Sequence, residues 1–291
     1  MVLTCQTQTL RFALPKGRMY DGIARLLADA GVRIRVSSRD YRPSIAIDDV
    51  DVKILKPRAI VEMMAVGARD LGFAGADWVA ESNADLVELI DTELDPVRLI
   101  AAAPTQLLID GDLPTRRITV ASEYVNLAQR WIENQGIDAN LLRSYGATEV
   151  LPPEDADCII DNTATGATLT ANNLEIIDEL MTSSTRLYAT REAMDDPARR
   201  DIIDRIVILI RSVLEARRRV MMEFNVSSTK LDDVIDMLPC MREPTVAPMH
   251  GDAGYAVKAA VLRTDLPSLI PVIKERGGTD IVVTTPEQIV I

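Results

Sequence analysis

The sequence holds a single histidine, His250, among 291 residues. That scarcity excludes a histidine-based catalytic triad and any multi-histidine metal site, and it places His250 as a surface or packing residue. Cysteine is sparse as well. Cys5, Cys158 and Cys240 are scattered, odd in number and without metal-ligand spacing, so free thiols in a reducing cytoplasm are expected. Aromatics make up 4% of the chain and the formal net charge is -12, which together oppose a nucleic-acid or anionic-membrane partner. No apolar run approaches the roughly 20 residues that span a bilayer. The opening "MVLTCQTQTLRF" lacks the basic start, apolar centre and cleavage signal of an export peptide. A GKS or GKT phosphate loop and the dinucleotide glycine triplet are both absent. There is no low-complexity linker and no array-type repeat.

What is present is an alternation of short apolar runs with amphipathic stretches, in a chain long enough for two or three domains. "LRFALP" (10–15) reads as a strand and "YDGIARLLADAG" (20–31) as a helix, with Ile23, Leu26, Leu27 and Ala30 on one face and Gly31 as its stop. "VDVKILKP" reads as a strand and "AIVEMMAVG" as a helix; "DLGFAGADWVAE" adds a strand, a glycine turn and a helix start. This is the pattern of an α/β layer. It restarts near residues 95–105: a strand at 117–121, Ser122 as N-cap, then a helix whose face holds Tyr124, Ala128, Trp131, Ile132 and Gln135. "ADCIID" and "SSTRLYAT" read as further strands. A long helix over about 195–216 carries Ile202, Ile206, Leu209, Val213 and Leu214 as its stripe, and "EARRR" suits the negative end of its dipole.

Beyond about residue 217 the pieces "RVMMEFNV", "STKLDDVIDMLP", "PTVAPM", "YAVKAAVL", "LPSLIPVIKERGG" and "TDIVVTTP" read β, α, β, β, α, β. That order is ferredoxin-like. Leu231, Val234, Ile235 and Leu238 give one helix its buried face, and Leu266, Leu269, Ile270 and Ile273 the other. Pro271 predicts that the second of these helices starts late, near Ser268.

The segment that points to chemistry is "CIIDNTATGATLTANN" (158–173). A buried strand delivers one carboxylate, Asp161, into a loop of small and hydroxyl-bearing residues around Gly166. Backbone N–H groups and hydroxyls in such a concavity suit a phosphate, more so if "TLTANNLE" opens a helix facing it. Asp161, at the carboxyl end of its strand, stands where α/β folds bind ligands and could accept hydrogen bonds from ribose hydroxyls. The competing reading is a plain strand–turn–helix connection that Asp161 caps. Spacing alone leaves both open.

"IIDNTATGATL" resembles the phosphoribosyl diphosphate loop of phosphoribosyltransferases. With "GATE" upstream and "ANNL" after it, the segment resembles ATP phosphoribosyltransferase, the family that opens histidine biosynthesis. "LRFALPKGRM", "ARDLGFAGAD", "SEYVNLAQRWIENQGI", "STRLYAT" and "LPCMREPTVAPM" carry the same resemblance in order, over essentially the whole chain. It is the long form of the family that is matched, with its own C-terminal regulatory domain.

The resemblance implies two lobes similar to a type II periplasmic binding protein, residues 1–98 with 182–216 and residues 99–181, and a regulatory domain at 217–291. It implies displacement of diphosphate from C1 of phosphoribosyl diphosphate by adenine N1 of ATP, with Mg²⁺, in a homo-oligomer (a dimer or hexamer) inhibited by histidine. Adenine N1 already carries a lone pair, so the reaction needs positioning and charge stabilisation more than a strong base. Carried over residue by residue, Thr165, Gly166, Ala167 and Thr168 would hold the 5′-phosphate, with Thr163 nearby, and Asp161 the ribose hydroxyls. Lys16 and Arg18 would face diphosphate or triphosphate, and Lys56 and Arg58 would add positive charge. Asp70 and Glu149 match cleft positions. No residue is assigned to the metal.

The chain departs from the family at several points. Lys56 stands where arginine is common, and lysine lacks the bidentate fork. "PPEDADC" is one residue shorter than usual, and Asn162 replaces an aliphatic residue at a position where many other phosphoribosyltransferases carry a second acid. Asn225, Met241, Thr245 and Asp280 match the effector pocket, with Asn225 where some relatives have an acid. Lys56 and Asn162 feed a rival reading, a two-lobed ligand-binding or regulatory homologue without chemistry. A second rival is a phosphoribosyltransferase with another acceptor, such as a free base.

Overall fold

A computed structural model describes residues 9–35 and 41–291. Cys5 lies outside the described residues. The chain folds as two compact units, one drawn from residues 1–25 and 32–204 and the other from residues 26–31 and 205–291.

The first half of the larger unit begins with strand β1 (Leu10–Pro15) and helix α1 (Arg18–Asp29), followed by the two-residue strands β2 (Ile34–Arg35) and β3 (Ser44–Ile45). Strand β4 (Val50–Leu55), helix α2 (Pro57–Ala65), strand β5 (Leu71–Gly75), helix α3 (Ala76–Ser82) and the 19-residue strand β6 (Leu86–Pro104) complete it. The α/β alternation expected from the sequence is present, and β1 has the expected bounds. β4, β1 and β5 are parallel, and all five residues of β5 are buried. Gly72 has no side chain because α2 lies against it: an added Cβ would come within 2.6 Å of Ile60 Cγ2.

The second half repeats the plan with strand β7 (Ile118–Ser122), helix α4 (Val125–Gln135), strand β8 (Ala139–Arg143), strand β9 (Cys158–Thr163), the one-turn helix α5 (Ala167–Ala171) and strand β10 (Leu174–Thr190). Helices α6 (Arg191–Asp195) and α7 (Pro197–Arg218) follow, α7 leaving the larger unit after Asp204. One eight-stranded sheet unites the halves in the order β4-β1-β5-β10-β6-β9-β7-β8. In each half the strand second in sequence lies outside, then the first, then the third, then a long antiparallel strand borrowed from the other half. Residues alternate along β6 between two cores. Leu99, Ala101 and Ala103 pack with Val120, Tyr124 and Ile160, while Ile100 and Ala102 pack with Ala121, Ile159 and Leu169.

Several local expectations fail for identifiable reasons. Ser122 does not cap α4. Its hydroxyl donates to the Ile160 carbonyl (2.7 Å) and accepts from Tyr124 N–H (2.9 Å). The cap is supplied instead by the buried Glu81 of α3, whose two oxygens accept from Asn126 N–H (3.0 Å) and Leu127 N–H (2.9 Å). Gln135 is exposed, although its amide reaches Asp178 at 2.9 Å. The buried stripe of α7 is Ile203, Ile206, Val207, Ile210, Val213 and Ala216, so the expected Ile202, Leu209 and Leu214 flank it.

The smaller unit contains strand β11 (Arg219–Val226), helix α8 (Leu231–Ile235), strand β12 (Thr245–Pro248), strand β13 (Tyr255–Leu262), helix α9 (Leu266–Glu275) and strand β14 (Thr279–Thr284). Its sheet runs β12-β13-β11-β14 with every neighbouring pair antiparallel, the ferredoxin-like arrangement expected from the sequence. Val220, Met222, Phe224, Val257, Ala259 and Val261 form its buried face with Val234, Leu269 and Ile273 of the helices. α9 begins at Leu266, not Ser268: Pro267 occupies its first turn, and Pro271 inside the helix is exposed, so the carbonyl it deprives of a partner is solvated. His250 is exposed in a short 3-10 turn of this unit.

Candidate active site

The parallel strands of the two halves run in opposite directions, so their carboxyl ends meet near the middle of the sheet, where Gly75 pairs with Thr185 of β10 and Thr163 with Arg98 of β6. Lys16 follows β1, Lys56 follows β4, and Asp161 and Asn162 lie near the end of β9. Lys16 is exposed, with Nζ 5.8 Å from the centre of the Tyr41 ring. Lys56 is exposed at the N-cap of α2 without a capping hydrogen bond from its side chain. Arg58 is more committed: Nε donates to Glu62 at 2.8 Å, and the guanidinium lies 5.6 Å from the Trp78 ring centre. Arg18 and Asn162 meet in a recess of about 90 Å³ with Asp77, Trp78, Asp95 and Ser183. That volume is too small for a nucleotide, so a substrate here would extend over the open surface.

The glycine loop leaves β9 at Thr163, which is buried and whose hydroxyl accepts from Gly166 N–H at 2.9 Å. Thr163 therefore closes the loop and does not face a ligand. Gly166 sits at φ +79°, a left-handed conformation that costs a non-glycine residue energy even though the space around it is open. Thr165, Ala167 and Thr168 are exposed around it. The helix expected after the loop is α5, five residues long. Its dipole is correspondingly slight, and loop amides and hydroxyls are what remain to meet an anion.

Asp161 is half-buried, and its Oδ1 accepts from Asn162 N–H at 2.7 Å. Burial pushes its carboxyl up to about 6; the Asn162 hydrogen bond works against that, and the neighbouring charges of Glu149 and Glu123 add to it. Glu149 thus stands beside Asp161 as expected. Glu123 was not anticipated, since it reads as an ordinary helix-start acid.

Asp70 belongs elsewhere. It precedes β5, at the amino end of the parallel strands, and is 1% exposed. Its carboxylate accepts from Arg11 N–H (2.7 Å), Arg11 Nε (2.9 Å), Arg11 Nη2 (2.6 Å) and Arg199 Nη1 (3.2 Å). A carboxylate so occupied holds the first unit together and offers nothing to a substrate.

Tyr124, expected only as part of a helix face, brings a hydroxyl to Asn162. The Tyr124 hydroxyl donates to Asp77 Oδ2 (2.5 Å) and accepts from Asn162 Nδ2 (2.8 Å). Trp78 stacks on Tyr124 with ring centres 4.5 Å apart. Tyr124 fits the apolar face of α4 and was legible only as core; the signal that escaped notice is its one polar atom in that face.

In the smaller unit Asn225 Nδ2 donates to Asp280 Oδ2 at 3.0 Å, and Thr279 Oγ1 donates to the same oxygen at 2.9 Å. Thr245 is not with them. It lies on β12, two strands from Asn225 and three from Asp280, or roughly 10 and 14 Å at about 4.8 Å per strand. Met241 N–H donates to the Ala260 carbonyl at 3.1 Å, on the β13 side. One chain therefore does not gather the four residues into a single pocket.

Among the described residues no helix is long and apolar enough to cross a membrane. A sequence model of the family described as ATP phosphoribosyltransferase matches residues 56–212, and a model of that family's C-terminal domain matches residues 216–287. The chain is 32% identical to the ATP phosphoribosyltransferase of Chlorobium phaeovibrioides over 279 residues, covering 94% of this chain and 95% of that protein. It is 34% identical to the ATP phosphoribosyltransferase of Pelotomaculum thermopropionicum over 280 residues, 94% of this chain and 96% of that one. Among solved structures, the ATP phosphoribosyl transferase (HisG:HisZ) complex from Thermotoga maritima superposes with a TM-score of 0.61 at 25% identity, over 69% of this chain and 98% of that chain.

Proposed function

The chain belongs to the ATP phosphoribosyltransferase family, and we propose that the carboxyl ends of β1, β4 and β9 carry the reaction of that family in this protein. The protein is a pentosyltransferase of histidine biosynthesis: it transfers the 5-phosphoribosyl group of phosphoribosyl diphosphate to N1 of the adenine of ATP and releases diphosphate. The bond from C1 to the diphosphate oxygen breaks and its electron pair leaves with diphosphate, while the N1 lone pair forms the new bond to C1. The observation that carries the site assignment is the half-buried carboxylate of Asp161 beside the open loop at Thr165, Gly166, Ala167 and Thr168. In this reading Asp161 accepts from the ribose hydroxyls, the loop amides hold the 5′-phosphate, and Lys16, Arg18 and Lys56 meet the diphosphate and triphosphate charge.

Among the described residues no group of three or more His, Cys, Asp or Glu is arranged to hold a metal ion. A magnesium ion arriving on substrate phosphates needs only one or two protein carboxylates, and Asp161 with Glu149 fits that requirement. When bound, it would supply positive charge that offsets the repulsion between two polyanions. The lobes would be residues 1–98 with 182–216 and residues 99–181, in a cytoplasmic homo-oligomer. Completion of a histidine site by a second copy would bring Met241 and Thr245 together with the Asn225–Asp280 pair.

Diphosphate release on mixing ATP, phosphoribosyl diphosphate and Mg²⁺, measured with and without millimolar histidine, tests this reading. Release that histidine suppresses is the expected result; no release overturns the site. A folded Thr245→Ala protein should keep its turnover and lose at least about tenfold in histidine sensitivity. Unchanged inhibition removes Thr245 from the effector site.

The carboxyl of Asp161 must be ionised to accept from ribose. kcat/KM should therefore fall as pH drops through about 6. Glu149→Gln removes one of the charges that raise that carboxyl, so its acid limb should move to lower pH. An unmoved limb would assign the titration to another group.

A further inference from the structure

A phenol has one proton, and around Tyr124 its destination is fixed. The Tyr124 hydroxyl donates to Asp77 Oδ2 across a short contact of 2.5 Å, which commits the phenol proton to that oxygen. The other Asp77 oxygen accepts from the Ser183 hydroxyl at 2.8 Å, and that hydroxyl in turn accepts from Asp77 N–H at 3.1 Å. Tyr124 is 1% exposed, so water cannot take over either role. The phenol oxygen has only lone pairs left for Asn162, which must therefore turn its NH₂ inward, as the 2.8 Å contact from Nδ2 shows. Because the amide is planar, Oδ1 then points away from Tyr124, and Asn162, unlike Tyr124, is exposed.

We infer that Tyr124 and Asp77 are positioning residues that lock the Asn162 amide with its carbonyl oxygen presented as an acceptor for a ribose hydroxyl of phosphoribosyl diphosphate. The inference rests on the proposed site at Asp161. It also accounts for an amide and not an acid at position 162. A carboxylate there would set lone pairs against the phenol oxygen, whose single proton Asp77 already holds, and one of the two acids would lose its donor.

The arrangement can be reversed by exchanging the two side chains. In an Asp77→Asn/Asn162→Asp protein, Tyr124 donates to the acid at 162 and accepts from the amide at 77, whose carbonyl still accepts from Ser183. Every group is again paired and the total charge is that of the natural chain. Asn162→Asp alone should raise KM for phosphoribosyl diphosphate by about thirtyfold, with KM for ATP within about twofold. The exchanged protein should recover to within about threefold of wild type. Thermal unfolding without substrate should follow the same order, with Asn162→Asp lowered and the exchange restored. A folded Asn162→Asp protein with unchanged KM, or an exchanged protein no better than the single variant, overturns the positioning role. A wild-type protein that binds no phosphoribosyl diphosphate in calorimetry overturns the site reading and the role with it; restored thermal unfolding in the exchanged protein would then still locate the failure in the site and not in the hydrogen-bond order.

Discussion

An Asp161→Asn enzyme should lose at least about a hundredfold in kcat/KM for phosphoribosyl diphosphate while becoming more stable to heat. In the proposed site the loss follows from replacing a carboxylate that would accept from ribose hydroxyls with a neutral amide, at about 1.5–3 kcal/mol for each charge-assisted hydrogen bond. The gain follows from what the fold does to the same group. Burial, with Glu149 and Glu123 nearby, pushes the Asp161 carboxyl up to about 6 from an ordinary value near 4. The folded state therefore binds that proton more tightly than the unfolded state does. Its contribution to stability is full below about pH 4 and is lost as pH rises through about 6. At pH 7.5 the ionised group costs the fold on the order of 2–3 kcal/mol, which asparagine removes. Scanning calorimetry should show Tm raised by several degrees at pH 7.5 and no difference near pH 4. A variant that loses activity without gaining stability would mean that Asp161 is already well satisfied in the free enzyme.

Asp70→Asn should behave in the opposite way, falling in stability by about 3 kcal/mol while retaining kcat/KM within about threefold well below its Tm. Burial alone would raise the Asp70 carboxyl, but the Arg11 hydrogen bonds and the charges of Arg11 and Arg199 outweigh it and hold the group below its usual range. Stability from this cluster is present above about pH 4 and is lost as pH falls through the lowered folded value. An asparagine offers one acceptor and one donor to guanidinium groups that only donate, so one contact becomes repulsive. Chemical denaturation read beside steady-state kinetics separates the two roles. A collapse of kcat/KM at unchanged stability would return Asp70 to the substrate site.

The two aspartates show which part of such a site a sequence can express. Asp161 was legible because its neighbours are unusual: an apolar run before it and a loop without bulk after it. Asp70 sits in "ARDLGFAG", where a structural and a functional carboxylate look alike until Arg11 and Arg199 are seen converging on it. The alternation of strands and helices, and the order of the C-terminal elements, were readable because period and turn residues are local. Caps were not. Ser122 has the right side chain in the right place, yet Glu81, 45 residues from Asn126 in sequence, does the capping. The length of β10 was hidden for a related reason. Only "SSTRLYAT" reads as a strand, because Leu174 to Met181 carries Glu175, Asp178 and Glu179 and does not look like a segment in the middle of a sheet.

The borrowed long strands also set a timetable for synthesis. β5 is buried along its whole length, and its second edge is covered by residues 185–189 of β10. When the ribosome has made β6, that edge is still bare. The remaining residues up to β10 emerge over several seconds at roughly 5–20 residues per second. For that interval the nascent chain presents an apolar strand with unpaired amides and carbonyls, the form most prone to pair with another chain. The dependence is one-sided: the second half finds its borrowed strand β6 already made, while the first half waits for β10.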